Sequence, residues 1–398
     1  MKYASIVPLI GGETIAMQNI VNKKPEYLLS YDVFKANDFN LVEYYKGEVP
    51  YHLIRDGRLP NLPSVDVINT VCPCAGLSSL NPSASSDAAI NDWMPTTAKL
   101  VLGELKPKVF WGENAPRFAS KAGEPIRENL RQIGRDHGYV FSVYKTKSIL
   151  HGLGQVRDRS FYFFWKGDKL PKFDYIKRGY ERIEDTIRSV NRKSNDPMNV
   201  LTNSNIPSKN PYYRYVLEEL EGGISHKEFQ DTKITKSINV LTYIESKTKY
   251  NKVGQWMFKN GYDKEAAKCE RIHRKLESGG NIMRKNIEFP KNYIGAFVGH
   301  LPTMLTHPDE DRFLTVRECL SIMKLPEDFM LQGGIKNVNH ICQNVPVTTA
   351  EDMAEQVVRF CDGRLDNQLI ETDYLMQDNK TQALIVKNNP VQLDEFML

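Results

Sequence analysis

Nothing in the sequence marks a membrane span, a secretory leader or a disulfide framework. No apolar run approaches the roughly 20 residues that cross a bilayer. The opening residues lack a signal-peptide pattern. Cysteine is sparse: of six, only Cys72 and Cys74 lie close together, and none is spaced as a zinc site or a disulfide scaffold. A reducing, cytoplasmic location without a structural metal is the expectation. A strong charge of one sign is also missing, the net value being +4.

What is present is an ordinary globular composition, long enough for one large domain with a smaller one inserted or appended. The charge is uneven. Residues 227–292 carry fifteen Lys and Arg against eight Asp and Glu, whereas 351–398 carry four against ten. A basic segment inside a near-neutral chain is a candidate phosphate-contacting surface, with a solvated helix face as the plainer explanation.

The first half alternates. Strands are expected at 3–10, 26–31, 64–71, 107–112, 138–145 and 159–166, and helices at 13–21, 92–105 and 124–137. That order implies an α/β domain with a largely parallel sheet, whose ligands sit at the carboxyl ends of the strands. Gly11-Gly12, Asp32, Cys74 and Glu113 all fall at such ends. From about 168 to 300 the pattern breaks, with one helix expected at 262–277. Helices return at 312–324, with Thr315 near its start, and at 350–361. The division expected is a catalytic domain over 1–185, a smaller domain over 186–300, a return to the first over 301–361, and an extension over 362–398.

Cys74 follows Pro73, ends an apolar strand and opens a small-residue loop, where a thiol can be exposed and nucleophilic. Glu113-Asn114 ends the next strand. Gln155-Val156-Arg157-Asp158-Arg159 enters another, and alternate residues of an extended segment point the same way. Gln155, Arg157 and Arg159 are thus expected on one face. Two guanidiniums beside a thiol and a carboxylate suit an anionic or carbonyl-bearing substrate. Taken singly, each has a plainer role: a core cysteine, a capping carboxylate, a surface ion pair.

These segments, in this order, resemble the DNA cytosine-C5 methyltransferase family. Ile10-Gly11-Gly12 is similar to its cofactor glycine loop, and Asp32 stands where an acid holds the ribose. Pro73-Cys74-Ala75-Gly76-Leu77-Ser78 resembles the Pro-Cys-Gln nucleophile loop. Glu113-Asn114-Ala115 resembles Glu-Asn-Val, and Gln155 to Arg159 the Gln-x-Arg-x-Arg segment. Arg312-Phe313-Leu314-Thr315-Val316-Arg317-Glu318 with Pro326-Glu327-Asp328-Phe329 matches a late structural motif. Cys342-Gln343-Asn344-Val345-Pro346 falls at the last cofactor motif. The resemblance covers roughly 1–165 and 300–350, and places a target-recognition region between them. It implies a Rossmann-like methyltransferase fold, S-adenosylmethionine as cofactor and double-stranded DNA as partner. It further implies Cys74 as nucleophile toward cytosine C6, Glu113 at N3 and Arg157 at O2, with Arg159 beside them. Ser78, Asn114 and Gln155 would contact substrate. Ile10, Gly11, Gly12, Asp32, Pro73, Asn344 and Val345 would bind cofactor.

The cofactor side departs most from the family. Val7 and Leu9 stand where an aromatic and a further glycine are usual, Ala75 replaces Gln, and Gln343-Asn344 replaces Asn-Ser/Ala. The third-strand acid is either Asp56 or Asp66. Three alternatives follow: a catalytically inactive DNA-binding relative, an enzyme using a modified cofactor, and an enzyme acting on RNA. In the middle region Tyr243, Tyr250, Trp256, Phe258 and Tyr262 stand among lysines, either as base-reading groups or as the core of the small domain. The chain ends in Gln392-Leu393-Asp394-Glu395-Phe396, which resembles peptides that dock into DNA sliding clamps. A monomer is expected.

Overall fold

The computed structural model describes residues 1–73, 75–77, 85 and 87–387. Cys74, Ser78 and the clamp-like peptide around Gln392, Leu393 and Phe396 therefore lie outside the described residues.

The chain opens with β1 (Tyr3–Ile6), α1 (Gly12–Val21), β2 (Leu28–Tyr31), α2 (Lys35–Tyr44), β3 (Tyr51–Ile54) and β4 (Val67–Thr70). It continues with α3 (Trp93–Leu100), β5 (Val109–Asn114), α4 (Glu124–Asp136), β6 (Tyr139–Lys147) and β7 (Asp158–Lys166). Short β8 (Lys169–Pro171) and α5 (Ile183–Arg188) lead into a helical region of α6 (Pro211–Tyr215), α7 (His226–Thr232), β9 (Ile238–Asn239), α8 (Val240–Lys247), α9 (Tyr250–Lys259), α10 (Asp263–Glu277) and β10 (Glu288–Phe289). Last come α11 (Val316–Ile322), α12 (Val347–Cys361), β11 (Leu369–Glu371), β12 (Tyr374–Asp378) and β13 (Ala383–Lys387).

The main sheet has the order β13-β12-β6-β7-β5-β4-β1-β2-β3. Its strands are parallel except β7, which lies antiparallel between β5 and β6, and β13 at the edge. This is a Rossmann-like arrangement with an antiparallel strand inserted beside the last parallel ones. Strands buried on both faces have apolar residues throughout, so alternate side chains feed two cores. Val67, Val109, Trp111, Phe161, Phe163 and Trp165 join α1, α11 and α12 on one side. Ile6, Leu29, Ile68, Phe110, Phe141, Tyr162 and Phe164 join α3 and α4 on the other. The antiparallel β7 matters for function, because its first residues arrive at the edge where β1, β2, β4 and β5 end.

Several elements differ from expectation. β1 stops at Ile6, because Val7 and Leu9 have left-handed φ of 50° and 51° and cannot continue a strand. α2 and β3 were not anticipated. The stretch called an extension adds β12, parallel to β6, and β13 beyond it. The middle region holds a separate apolar cluster of Tyr212, Tyr213, Phe229, Tyr243, Ile244, Tyr250, Val253, Met257, Cys269 and Phe289. Of the aromatics singled out from sequence, Tyr243 and Tyr250 are buried, Trp256 and Tyr262 stack at 6.2 Å, and Phe258 is exposed. The late motif is structural. Thr315 caps α11 in a capping box with Glu318, which also receives Arg312, while Arg317 pairs with Asp196. No helix among the described residues is long and apolar enough to cross a membrane.

Candidate active site

The β1–α1 turn is shaped by close approach. Gly11 has φ 93°, and a Cβ there would meet Leu41 at 2.5 Å. A Cβ on Gly12 would lie 2.5 Å from both Asn344 Oδ1 and the Val345 carbonyl. The reason is a bond between residues 332 positions apart: the Gly12 amide donates to Asn344 Oδ1 at 2.8 Å. The amide nitrogen of Asn344 is enclosed, with no hydrogen-bond partner among the described residues. Ile10 is buried, Pro73 is half-buried, and Asp32 follows β2 with its carboxylate exposed. Of the two candidate third-strand acids, Asp66 is engaged at the opposite edge of the sheet, with the Lys2 amide and Lys108. Asp56 follows the end of β3. Leu9 has kept the left-handed turn at the place where the family has glycine, at a cost on the order of 1 kcal/mol.

Asp38, on α2, secures that turn. Its carboxyl accepts from the Leu9 amide at 2.9 Å and from Tyr51 Oη at 3.0 Å. Burial pushes it up from 3.8 to about 6, against the pull of Ser30, Leu9 and Tyr51. A carboxyl raised in the fold contributes stability that is complete below its unfolded value and is lost as pH rises through its folded value. Wild type should therefore lose stability relative to Asp38→Asn between pH 3.8 and about 6. Thermal melts of both proteins across that window check this; parallel curves would contradict it.

Glu113 ends β5 and is 2% exposed. Arg159 opens β7, and its Nε lies 2.5 Å from Glu113 Oε1. The pair forms because β7 runs antiparallel beside β5, with Asn114 opposite Ser160. Arg159 retains 14% side-chain exposure, so the pair is not wholly sealed from solvent. Glu13, from the first turn of α1, belongs to the same electrostatic cluster as Glu113, Arg159 and Arg157. Sequence reasoning passed over Glu13, although an acid directly after Gly11-Gly12 was a visible signal.

Arg157, Gln155 and Asn114 all bond to other parts of the protein. The terminal nitrogens of Arg157 donate to the carbonyls of Phe297 at 2.7 Å, Cys342 at 2.6 Å and Asn344 at 2.9 Å. It joins the end of the middle region to the loop that touches Gly12. Gln155 donates to the Ile322 carbonyl at 3.2 Å. Asn114 contacts Met94 Sδ at 3.1 Å and accepts from the Ala115 amide. Cys72 is buried, its sulfur near Thr70 and the Trp93 carbonyl, and burial raises its thiol. No group of three or more potential metal-ligating side chains occurs among the described residues.

A family model described as C-5 cytosine-specific DNA methylase matches residues 2–359. A protein of Methanocaldococcus jannaschii described as a type II methyltransferase is 23% identical over 322 residues, covering 77% of this chain and 69% of its own length. The DNA (cytosine-5)-methyltransferase 3 of Arabidopsis thaliana is 23% identical over 332 residues, and the match spans 22% of that longer protein. Among solved structures, an Escherichia coli prophage protein described as a DNA modification methyltransferase matches with a TM-score of 0.56 at 14% identity, over 91% of this chain and 99% of that one. The Entamoeba histolytica methyltransferase EhMeth matches with a TM-score of 0.50 at 11% identity, over 91% and 98%. At such identities the structures speak to the fold.

Proposed function

The chain belongs to the C-5 cytosine-specific DNA methylase family, and from that premise we propose a covalent reaction on a cytosine swung out of duplex DNA. Its nucleophile is Cys74, its proton donor Glu113, and its anchor for O2 Arg159. The observation that carries this reading is the buried Glu113–Arg159 pair at the carboxyl edge of the sheet. A carboxyl and a guanidinium side by side match the N3 and O2 edge of a cytosine. The O2 role expected of Arg157 goes to Arg159, because Arg157 is held by three backbone carbonyls.

Cytosine C5 is a poor nucleophile until a thiolate adds to C6. As the Sγ–C6 bond forms, ring electrons move toward C5 and N3, and the Glu113 proton passes to N3. Arg159 holds the charge growing on O2. After C5 has been methylated, its proton passes to water, the electrons of that C–H bond re-form the C5–C6 double bond, the Sγ–C6 bond breaks to release the thiolate, and N3 returns its proton to Glu113. C6 is stacked inside a duplex, so the base must leave the helix at a cost of about a few kcal/mol.

The glycine turn fits S-adenosylmethionine: its backbone tolerates no Cβ at Gly12, Asn344 presents an unpartnered amide, and Asp32 presents a carboxylate at the end of β2. With Ile10, Gly11, Pro73 and Val345 they would hold that cofactor, which supplies the methyl group. On α10, Lys264, Lys268, Arg271 and Lys275 recur at helical spacing and are exposed, as a phosphate-contacting stripe requires. Supplied with methyl-labelled S-adenosylmethionine, the protein should label DNA and yield 5-methylcytosine. Label confined to tRNA, or no labelled nucleic acid, would contradict the proposal.

A further inference from the structure

Glu13 is left unused by the chemistry above. It is the second residue of α1 and has 0% exposure. Apart from its own backbone amide, neither carboxyl oxygen has a hydrogen-bond partner among the described residues. A buried carboxylate in that condition is strongly disfavoured. Its neighbours in sequence are engaged by the scaffold: Gly12 with Asn344, and Thr14 with Ser5 and Asn69.

In the sheet, β4 separates β1 from β5. At roughly 4.8 Å per strand, the β1–α1 turn and the end of β5 stand about 10 Å apart, a gap that two glutamate side chains can close above the end of β4. The charges that act on Glu13 are those of Glu113 in β5, Arg159 in β7 and Arg157 just before β7, with the Tyr162 hydroxyl of β7 in the same group. Burial first, and Glu113 second, push the Glu13 carboxyl well above its ordinary range; its own backbone amide, Arg159 and Arg157 pull the other way.

We propose that Glu13 is a positioning residue that keeps a proton beside Glu113 for delivery to cytosine N3. The proposal rests on the reading of Glu113 as the partner of N3. Glu13 is enclosed beside the charge of Glu113, so its proton leaves reluctantly, because two like charges would then remain. A single carboxyl facing the same guanidiniums would release its proton at lower pH. When the thiolate adds to C6, the pair gives up one proton to N3, and Arg157 and Arg159 balance the two carboxylates. The proton returns to the pair as the Sγ–C6 bond breaks.

Glu13→Gln keeps the shape and removes the ionisable group. The test is the pH profile of methyl transfer by the full-length protein, using labelled S-adenosylmethionine and DNA from a host without cytosine methylation. The alkaline limb of kcat should move about one unit to lower pH, with kcat at mildly alkaline pH down about tenfold and KM for DNA unchanged. Glu13→Asp keeps a carboxyl on a shorter stem and should show a smaller displacement in the same direction; it carries the test if Glu13→Gln does not fold. A variant limb at the wild-type position, or a uniform loss at every pH, overturns the proposal. An active wild type with an unshifted variant removes only the role of Glu13. A wild type that makes no product removes the reaction itself and this role with it.

Discussion

Arg159→Lys should lower methyl transfer by roughly 10²–10³-fold while the protein melts close to wild type. The lysine keeps a cation opposite Glu113, so the buried acid does not lose its partner. What it loses is the planar fork of donors, which can face a carboxylate and a carbonyl oxygen together. Arg159 meets Glu113 through Nε at 2.5 Å, donates from Nη1 to the Asp158 carbonyl at 2.9 Å and stays partly exposed, so Nη2 is the nitrogen proposed to meet the base. Removing one oxyanion-type donor typically lowers kcat by about 10²–10³-fold. The loss should appear in kcat, with the affinity for S-adenosylmethionine little changed. Single-turnover kinetics with a binding titration separate the two, and a variant that transfers methyl at the wild-type rate would contradict the assignment.

Arg157→Ala should instead weaken the fold by on the order of 3–5 kcal/mol, as expected when a buried charge is removed from several carbonyls at once. Its terminal nitrogens serve the carbonyls of Phe297, Cys342 and Asn344, which belong to two segments far apart in sequence. Without the guanidinium those acceptors are left inside a dry interior. Because Asn344 also receives the Gly12 amide, the loss should spread to the cofactor turn and weaken S-adenosylmethionine binding. Denaturant melts check this; an unchanged midpoint together with lost chemistry would mean that Arg157 touches the substrate after all.

The contrast between these two arginines shows where sequence reasoning stops. Spacing places both at the sheet edge where Glu113 ends, and the family resemblance names them together. Which one is tied to the scaffold depends on where residues 297 and 342–344 pass, and pattern alone carries no record of that path. The alternation of strands and helices in the first half was legible because strands buried on both faces are continuously apolar. α2 was not: it turns Asp38 and Asn40 inward, which breaks the apolar period. β3 is a short, half-buried strand that offers little alternation. β13 read as a tail because Leu384, Ile385 and Val386 are exposed at the sheet edge. In the middle region the helices before α10 are at most ten residues long, and so do not sustain a recognisable repeat. Thr315 at the start of α11 was readable, since a capping threonine three positions before a glutamate is a local signal.

Catalysis as proposed depends on a bond between one sulfur and one ring carbon. Duplex DNA in which cytosine is replaced by 5-fluorocytosine traps that bond, because fluorine cannot leave C5 as a proton does. Incubated with S-adenosylmethionine, the protein should form a DNA adduct that survives denaturation, maps to the peptide containing Cys74, and is missing in Cys74→Ser. Methyl transfer to ordinary DNA without any such adduct, or an adduct that persists in Cys74→Ser, would contradict it.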